Sequence, residues 1–254
     1  MRLFKPDTPP FRLTTLDQRQ RLFGAAGADA MLVFAFDKTL AATSAEDFAR
    51  ALLANHLGAS GVVTGEDFTF GKGREGKAPM LGTLASDLGL RGRIVRPVQS
   101  GDAVVSSSRI REALKSGNPQ IAAKLLTRPF TIEGVVQHGA KEGRKLGFPT
   151  ANLDLGNYLR PAYGIYAVRG RLADGRVLDG AANVGIRPSY EPPVELLEPY
   201  FFQFSGDLYG QTIAVELHDF LRSEQKFDDL EALKRQMAAD CDEARTRLAD
   251  APAG

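Results

Sequence analysis

The 254-residue sequence predicts a parallel α/β unit followed by an antiparallel β-barrel with a terminal helix. Three observations carry that prediction. Helix-like and short apolar strand-like pieces alternate as far as Leu126, the pattern of a parallel sheet covered by helices. Beyond Pro129 the strands alternate in polarity and are separated by Gly, Pro and Asp turns, as in an antiparallel barrel. From Leu230 apolar or small residues recur at Leu233, Met237, Cys241, Ala244 and Leu248, one stripe of a helix. The change of character at Leu126-Thr127-Arg128-Pro129 places a boundary between domains 1–126 and 127–254.

Taken in order, residues 15–26 read as a helix and Met31–Phe36, Met-Leu-Val-Phe-Ala-Phe, as a short apolar strand. Residues 44–57 read as a second helix and Gly61-Val62-Val63-Thr64-Gly65 as a buried strand. Helices follow over Ser107–Ser116 and Pro119–Leu126, the first entered through serines able to cap it. In the second half, Ile165–Arg171, Arg176–Ala182 and Thr212–Leu217 read as strands, and Ala173-Asp174-Gly175-Arg176 as the turn joining the first two. The terminal stripe is expected to pack on the neighbouring barrel. No internal repeat or low-complexity segment is present.

Composition narrows the ligand. A formal net charge of +1 provides no long-range field for nucleic acid or a membrane surface, so an anionic ligand must be held by a local cluster. A small phosphorylated molecule fits that condition. The single Cys241 excludes an intramolecular disulfide, the start Met1-Arg2-Leu3-Phe4-Lys5-Pro6 lacks the apolar stretch of a secretory leader, and no run reaches membrane-spanning length. The expectation is a cytoplasmic protein.

Gly143-Arg144-Lys145-Leu146-Gly147-Phe148-Pro149-Thr150-Ala151-Asn152 is the most chemically specific stretch. Gly139, Gly143 and Gly147 let backbone approach a ligand closely, while Lys141, Arg144 and Lys145 can offset phosphate charge. No Gly-Lys-Ser/Thr follows a strand here, so this is not a Walker loop. In an extended segment Thr150 and Asn152 point to the same face and can offer a hydroxyl and an amide oxygen to one hard cation. A Mg²⁺ held by so few neutral oxygens relies on substrate phosphates.

This loop is followed by Gly164-Ile165-Tyr166-Ala167-Val168, Ala182-Asn183-Val184-Gly185-Ile186-Arg187-Pro188, and Phe204-Ser205-Gly206-Asp207-Leu208-Tyr209-Gly210 with Phe220-Leu221-Arg222. The ordered set resembles the riboflavin kinase module of the bacterial bifunctional riboflavin kinase/FMN adenylyltransferase (FAD synthetase) family. The resemblance implies a six-stranded antiparallel Greek-key barrel with a C-terminal helix, transferring the ATP γ-phosphoryl to the ribityl 5′-hydroxyl of riboflavin to give FMN. It implies Thr150 and Asn152 as Mg²⁺ and phosphate ligands, and Gly143, Arg144 and Gly147 as the loop that covers ATP. It implies Glu198 as the general base on the flavin hydroxyl, and Arg222 beside the flavin. A primary alcohol attacking phosphorus needs its proton accepted and its oxygen held in line, which suits a carboxylate there. Gln203 stands where the family has an aspartate; alternation along a strand would place it on the face opposite Glu198.

Two first-half segments resemble the same family's adenylyltransferase, a Rossmann-like nucleotidyltransferase. These are Gly65-Glu66-Asp67-Phe68-Thr69-Phe70-Gly71 with Gly73-Arg74-Glu75-Gly76, and Val105-Ser106-Ser107-Ser108-Arg109-Ile110-Arg111. The second implies a nucleotide-phosphate site of Ser106, Ser107, Ser108, Arg109 and Arg111 at a helix N-terminus. The family's His-x-Gly-His signature has no counterpart, since His56, His138 and His218 lie far apart. By the family's layout this domain starts roughly sixty residues late and is incomplete. Its sheet would then lack a central strand and expose an apolar face, and FMN adenylyltransfer is expected to be absent or impaired. The leading reading is a riboflavin kinase. The alternatives are a complete bifunctional enzyme read from a mis-assigned start and a flavin- or nucleotide-binding module without catalysis. Glu198, Thr150 and Asn152 together favour the kinase, because a binder needs neither base nor metal ligands.

Overall fold

The structure is a computed structural model that describes residues 7–101, 103–139, 143, 147–187 and 192–251. The chain divides into two compact units, Met1–Thr8 with Asp29–Val105, and Pro9–Ala28 with Ser106–Gly254. Helix α1 (Leu16–Ala25) belongs to the second unit. Its first turn is fixed by a capping box: Gln18 N donates to Thr15 Oγ1 at 3.1 Å and Thr15 N donates to Gln18 Oε1 at 2.9 Å.

The first unit contains α2 (Lys38–Ala42), α3 (Ala45–Asp47) running into a π-helical stretch Phe48–His56, β1 (Gly61–Gly65), β2 (Thr69–Phe70), β3 (Gly76–Lys77), α4 (Ala78–Asp87), β4 (Arg91–Val95), β5 (Gln99–Ser100) and β6 (Ala103–Val104). β1 and β4 pair in parallel, Gly61 opposite Arg91 and Gly65 opposite Val95, with α4 as the crossover. A small core of Ala45, Ala49, Phe70 and Leu81 lies beneath them. The predicted strand at Met31–Phe36 does not form. Leu32 is 63% exposed and Phe36 53%. A strand persists only where a neighbour takes up its backbone groups, and the parallel sheet described for this unit has two members, neither of them this run.

The second unit adds α5 (Ser107–Lys115), α6 (Pro119–Leu126), β7 (Phe130–Val135), β8 (Leu153–Asp154), β9 (Gly164–Arg171), β10 (Val177–Arg187), β11 (Val194–Phe201), β12 (Thr212–Ser223) and α7 (Leu230–Ala249). The six strands form one antiparallel sheet in the order β7-β12-β9-β10-β11-β8. β12 returns to lie between β7 and β9, as a Greek-key connection requires. The edges meet where Gln137 N donates to Asn152 O at 2.8 Å, so the barrel is nearly closed. Phe130, Ile132, Leu153, Tyr166, Val168, Val184, Leu197, Ile213, Val215 and Leu217 fill its interior and are fully buried.

Helix α7 lies on the outside of the barrel. Its Cys241, Ala244 and Leu248 pack on Ala167 of β9 and Ala181 of β10, so the predicted stripe buries as expected. Compactness groups α5 and α6 with the barrel: Ala162 N donates to Leu114 O at 2.9 Å, and Gln120 bonds the Asp219 carboxylate.

Candidate active site

The barrel's pairing registers align the predicted site residues across its strands. Arg222 of β12 lies opposite Ile165 of β9, Ile165 opposite Asn183 of β10, and Asn183 opposite Glu198 of β11. β11 pairs Leu196 with Asp154 and Leu197 with Leu153 of β8. The same register continues through the 2.9 Å bond from Ala151 N to Pro199 O, and it brings Asn152 beside Glu198. Directly opposed residues of antiparallel strands project on one face. Arg222, Ile165, Asn183, Glu198 and Asn152 therefore form one transverse row, on the face that α7 partly covers. Two irregularities in β12, after Leu217 and after Phe220, set the phase that puts Arg222 in it.

The row floors a cavity of about 420 Å³. Phe148, Ile165, Tyr200, Phe227, Leu233 and Met237 supply apolar wall; Gly143, Thr150, Asn152, Asn183, Glu198 and Arg222 supply polar wall. That size and mixture suit a ligand with an aromatic body and a polar tail. Phe148 and Tyr200 meet edge to face with centroids 5.3 Å apart.

Each polar group is held. Glu198 Oε2 is buried and forms an ion pair with the Arg187 guanidinium. Arg222 binds Asp240 of α7 in a fork, Nε to Oδ1 and Nη2 to Oδ2, both at 2.7 Å. Gln236 Nε2 also donates to Asp240 Oδ1, at 3.0 Å. Thr150 and Asn152 flank buried Ala151, whose N–H is tied to β11, so both side chains turn to the same wall. Gly139 is needed beside them, since a Cβ there would fall 2.4 Å from Asn152 Nδ2. In the loop, Phe148 N donates to Gly143 O at 2.8 Å and Gly147 takes φ 88°, a reversal that brings Gly143 over Thr150. Arg144 lies outside the described residues. Cys241 faces the cavity from α7, and burial pushes its thiol up to about 11.

Among the described residues no three His, Cys, Asp or Glu side chains converge as a metal site. The donors at this wall are neutral oxygens, a set that suits a divalent ion already bound to phosphate.

Ser106, Ser107, Ser108, Arg109 and Arg111 line no part of this cavity. Ser106 caps α5, accepting from Arg109 N at 3.3 Å, while Arg111 Nε donates to Phe11 O at 2.9 Å and the guanidinium lies over the Phe11 ring. The expected strand placement of Gln203 is corrected. β11 ends at Phe201, and Gln203 sits beyond it at φ 52°, in a left-handed turn where strand alternation no longer applies. Three groups escaped the sequence reading, Arg187 against Glu198, Asp240 against Arg222, and Asn183 between Ile165 and Glu198. The spacing Asn183-x-Gly185-x-Arg187 was a signal for the first, since it places all three on one face of a strand.

A ligand-sized cavity with an ion-paired carboxylate and paired oxygen donors, on the outer face of a small barrel, has the parts a small-molecule transferase needs. Family models place the chain further. Residues 126–248 match riboflavin kinase and residues 1–109 match FAD synthetase. The bifunctional riboflavin kinase/FMN adenylyltransferase of Escherichia coli (strain K12) is 38% identical over 240 residues, covering 94% of this chain and 77% of that protein. Those of Haemophilus influenzae and Bacillus subtilis are 37% and 35% identical, with 79% and 75% of their lengths covered. A crystal structure described as a macrolide-efflux protein from Streptococcus pneumoniae superposes with TM-score 0.84 at 31% identity, covering 96% of this chain and 79% of that one. Among the described residues here, no helix is long and apolar enough to cross a membrane. The chain belongs to the bifunctional riboflavin kinase/FMN adenylyltransferase family.

Proposed function

We propose that this chain is a riboflavin kinase, transferring the γ-phosphoryl group of ATP to the terminal hydroxyl of riboflavin and so supplying FMN for flavin cofactor synthesis. The observation that carries the reading is the row itself: Glu198, Asn183 and Arg222 come from separate strands, Asn152 directly precedes β8, and all face one cavity with Thr150. Glu198 accepts the proton as the hydroxyl oxygen forms its bond to phosphorus, and the bond from phosphorus to the β,γ-bridging oxygen of ATP breaks, leaving ADP. Thr150 and Asn152 would hold Mg²⁺ together with the phosphates. The ion, when bound, offsets charge on the transferring group. Gly143, Arg144 and Gly147 belong to the loop that covers the triphosphate, and the apolar wall takes the flavin ring. Kinase chemistry is assigned to residues 127–254.

The test is incubation of the purified protein with riboflavin, ATP and Mg²⁺, with FMN and FAD resolved by chromatography. FMN should accumulate, and Glu198→Gln should lower turnover by roughly 10²- to 10⁴-fold. Flavin binding with no FMN formed would favour a non-catalytic binding module instead. Wild-type rates from the Glu198→Gln protein would remove Glu198 from its role.

A further inference from the structure

We propose that Asn183 reads and orients the polyol chain of the substrate, accepting a hydrogen bond from a hydroxyl near the one that is phosphorylated. This rests on the kinase reading above. Asn183 stands in the row between Ile165 and Glu198, so the amide and the proton-accepting carboxylate are cross-strand neighbours on one face. Such neighbours have Cβ atoms about 5 Å apart, comparable to the separation of hydroxyls one or two carbons apart on a polyol.

The amide has a defined orientation. Asn183 Nδ2 donates to Glu224 Oε1 at 3.1 Å. A carboxylate only accepts, so the nitrogen must face Glu224 and the oxygen must turn away from it. That oxygen, Oδ1, is buried and has no hydrogen-bond partner among the described residues. A buried acceptor without a donor is costly, and a ligand donor that meets it recovers the cost. Two guanidinium groups nearby are engaged elsewhere, Arg222 with Asp240 and Arg187 with Glu198. Gly185, two residues along β10 on the same face, leaves the space that the Glu224 carboxylate occupies, since a Cβ there would fall 2.1 Å from Glu224 Oε1. The strand thus provides both the amide and the room for the carboxylate that aims it.

The experiment measures kcat/KM for riboflavin and for its 2′-, 3′- and 4′-deoxyribityl analogues with wild type, Asn183→Ala and Glu224→Ala. For one analogue, wild type should lose roughly 10- to 100-fold, the range of an unmet buried hydrogen bond. Asn183→Ala should lose a similar factor on riboflavin yet barely distinguish riboflavin from that analogue, so the two deletions are not additive. Glu224 is exposed, so its alanine variant leaves the fold intact and should show partial loss of the same discrimination. Additive losses for every analogue in both variants would overturn the proposal while leaving the kinase reading standing. So would a raised Mg²⁺ requirement in Asn183→Ala with discrimination unchanged, which would make Asn183 a metal ligand. Absence of FMN from wild type would sink the kinase reading and this one together.

Discussion

Cys241 is the chain's one cysteine, and it stands in the cavity wall, which makes it a reporter at a single residue. Burial holds its thiol protonated up to about 11, against an ordinary value of 9.0. At neutral pH the thiolate fraction is small, so alkylation by maleimide should be slow. Riboflavin at saturation should slow it further by covering the sulfur; equal rates with and without riboflavin would place the flavin elsewhere. The same shift has a stability consequence. Between pH 9 and about 11 the unfolded thiol has lost its proton while the folded one keeps it. The unfolded state then binds fewer protons, so stability falls as pH rises through that window and is unaffected below it. The stability difference between wild type and Cys241→Ala, measured by denaturant titration, should stay constant below pH 9 and change only above it. At this scale Thr150 and Asn152 were announced as candidates by oxygen donors two residues apart, and Glu198 by the family resemblance. Asn183 carried no such announcement: an asparagine in an apolar strand shows its use only once Oδ1 is seen buried and Nδ2 engaged.

Helix α7 is attached to the barrel in two ways, and they have different consequences. Its C-terminal half packs Ala244 and Leu248 in the core, while its middle is held by Asp240 gripping Arg222 of β12. Asp240 is 6% exposed, so its removal strands a guanidinium in a largely dry wall. Asp240→Ala should cost about 3 kcal/mol, the low end for a broken buried pair. Because Leu233 and Met237 on the same helix line the cavity, KM for riboflavin should rise while KM for ATP changes little. Equal changes in both would mean that the pair only stabilises the barrel. The helix was legible as a stripe of three- and four-residue spacing, and α1 as the helical run 15–26. What Gln18 does next was not legible: its Nε2 donates to Thr131 O at 3.1 Å and its Oε1 accepts from Tyr158 OH at 2.7 Å, binding α1 to the barrel. Strand state was misread at Met31–Phe36 and left unread at Arg91–Val95. Met31–Phe36 has strand composition and forms no strand, whereas polar Arg91–Val95 pairs along its whole length with β1. Pairing is decided by neighbours distant in sequence, and local propensity does not contain them. The phase of β12 was hidden for the same reason, since its irregularities exist only relative to β9.

Across the whole molecule, every described residue assigned to kinase chemistry lies in the second compact unit. The first unit has a small core and leaves Leu32, Val33, Phe34, Phe36 and Val98 exposed, so less apolar burial supports it. Units stabilised so unequally should not unfold as one. Leu81 is 1% exposed in the first unit's core, and Leu81→Ala should cost that unit about 2–5 kcal/mol. The expected result is a two-step thermal unfolding curve in which only the earlier step moves down, with kcat/KM for riboflavin unchanged. Leu248→Ala, equally buried between α7 and the barrel in the second unit, should instead move the later step and the temperature at which FMN formation is lost. If Leu81→Ala lowers riboflavin phosphorylation as much as Leu248→Ala does, the two units fold as one cooperative body. The first would then be required to hold the row from Asn152 to Arg222 in place.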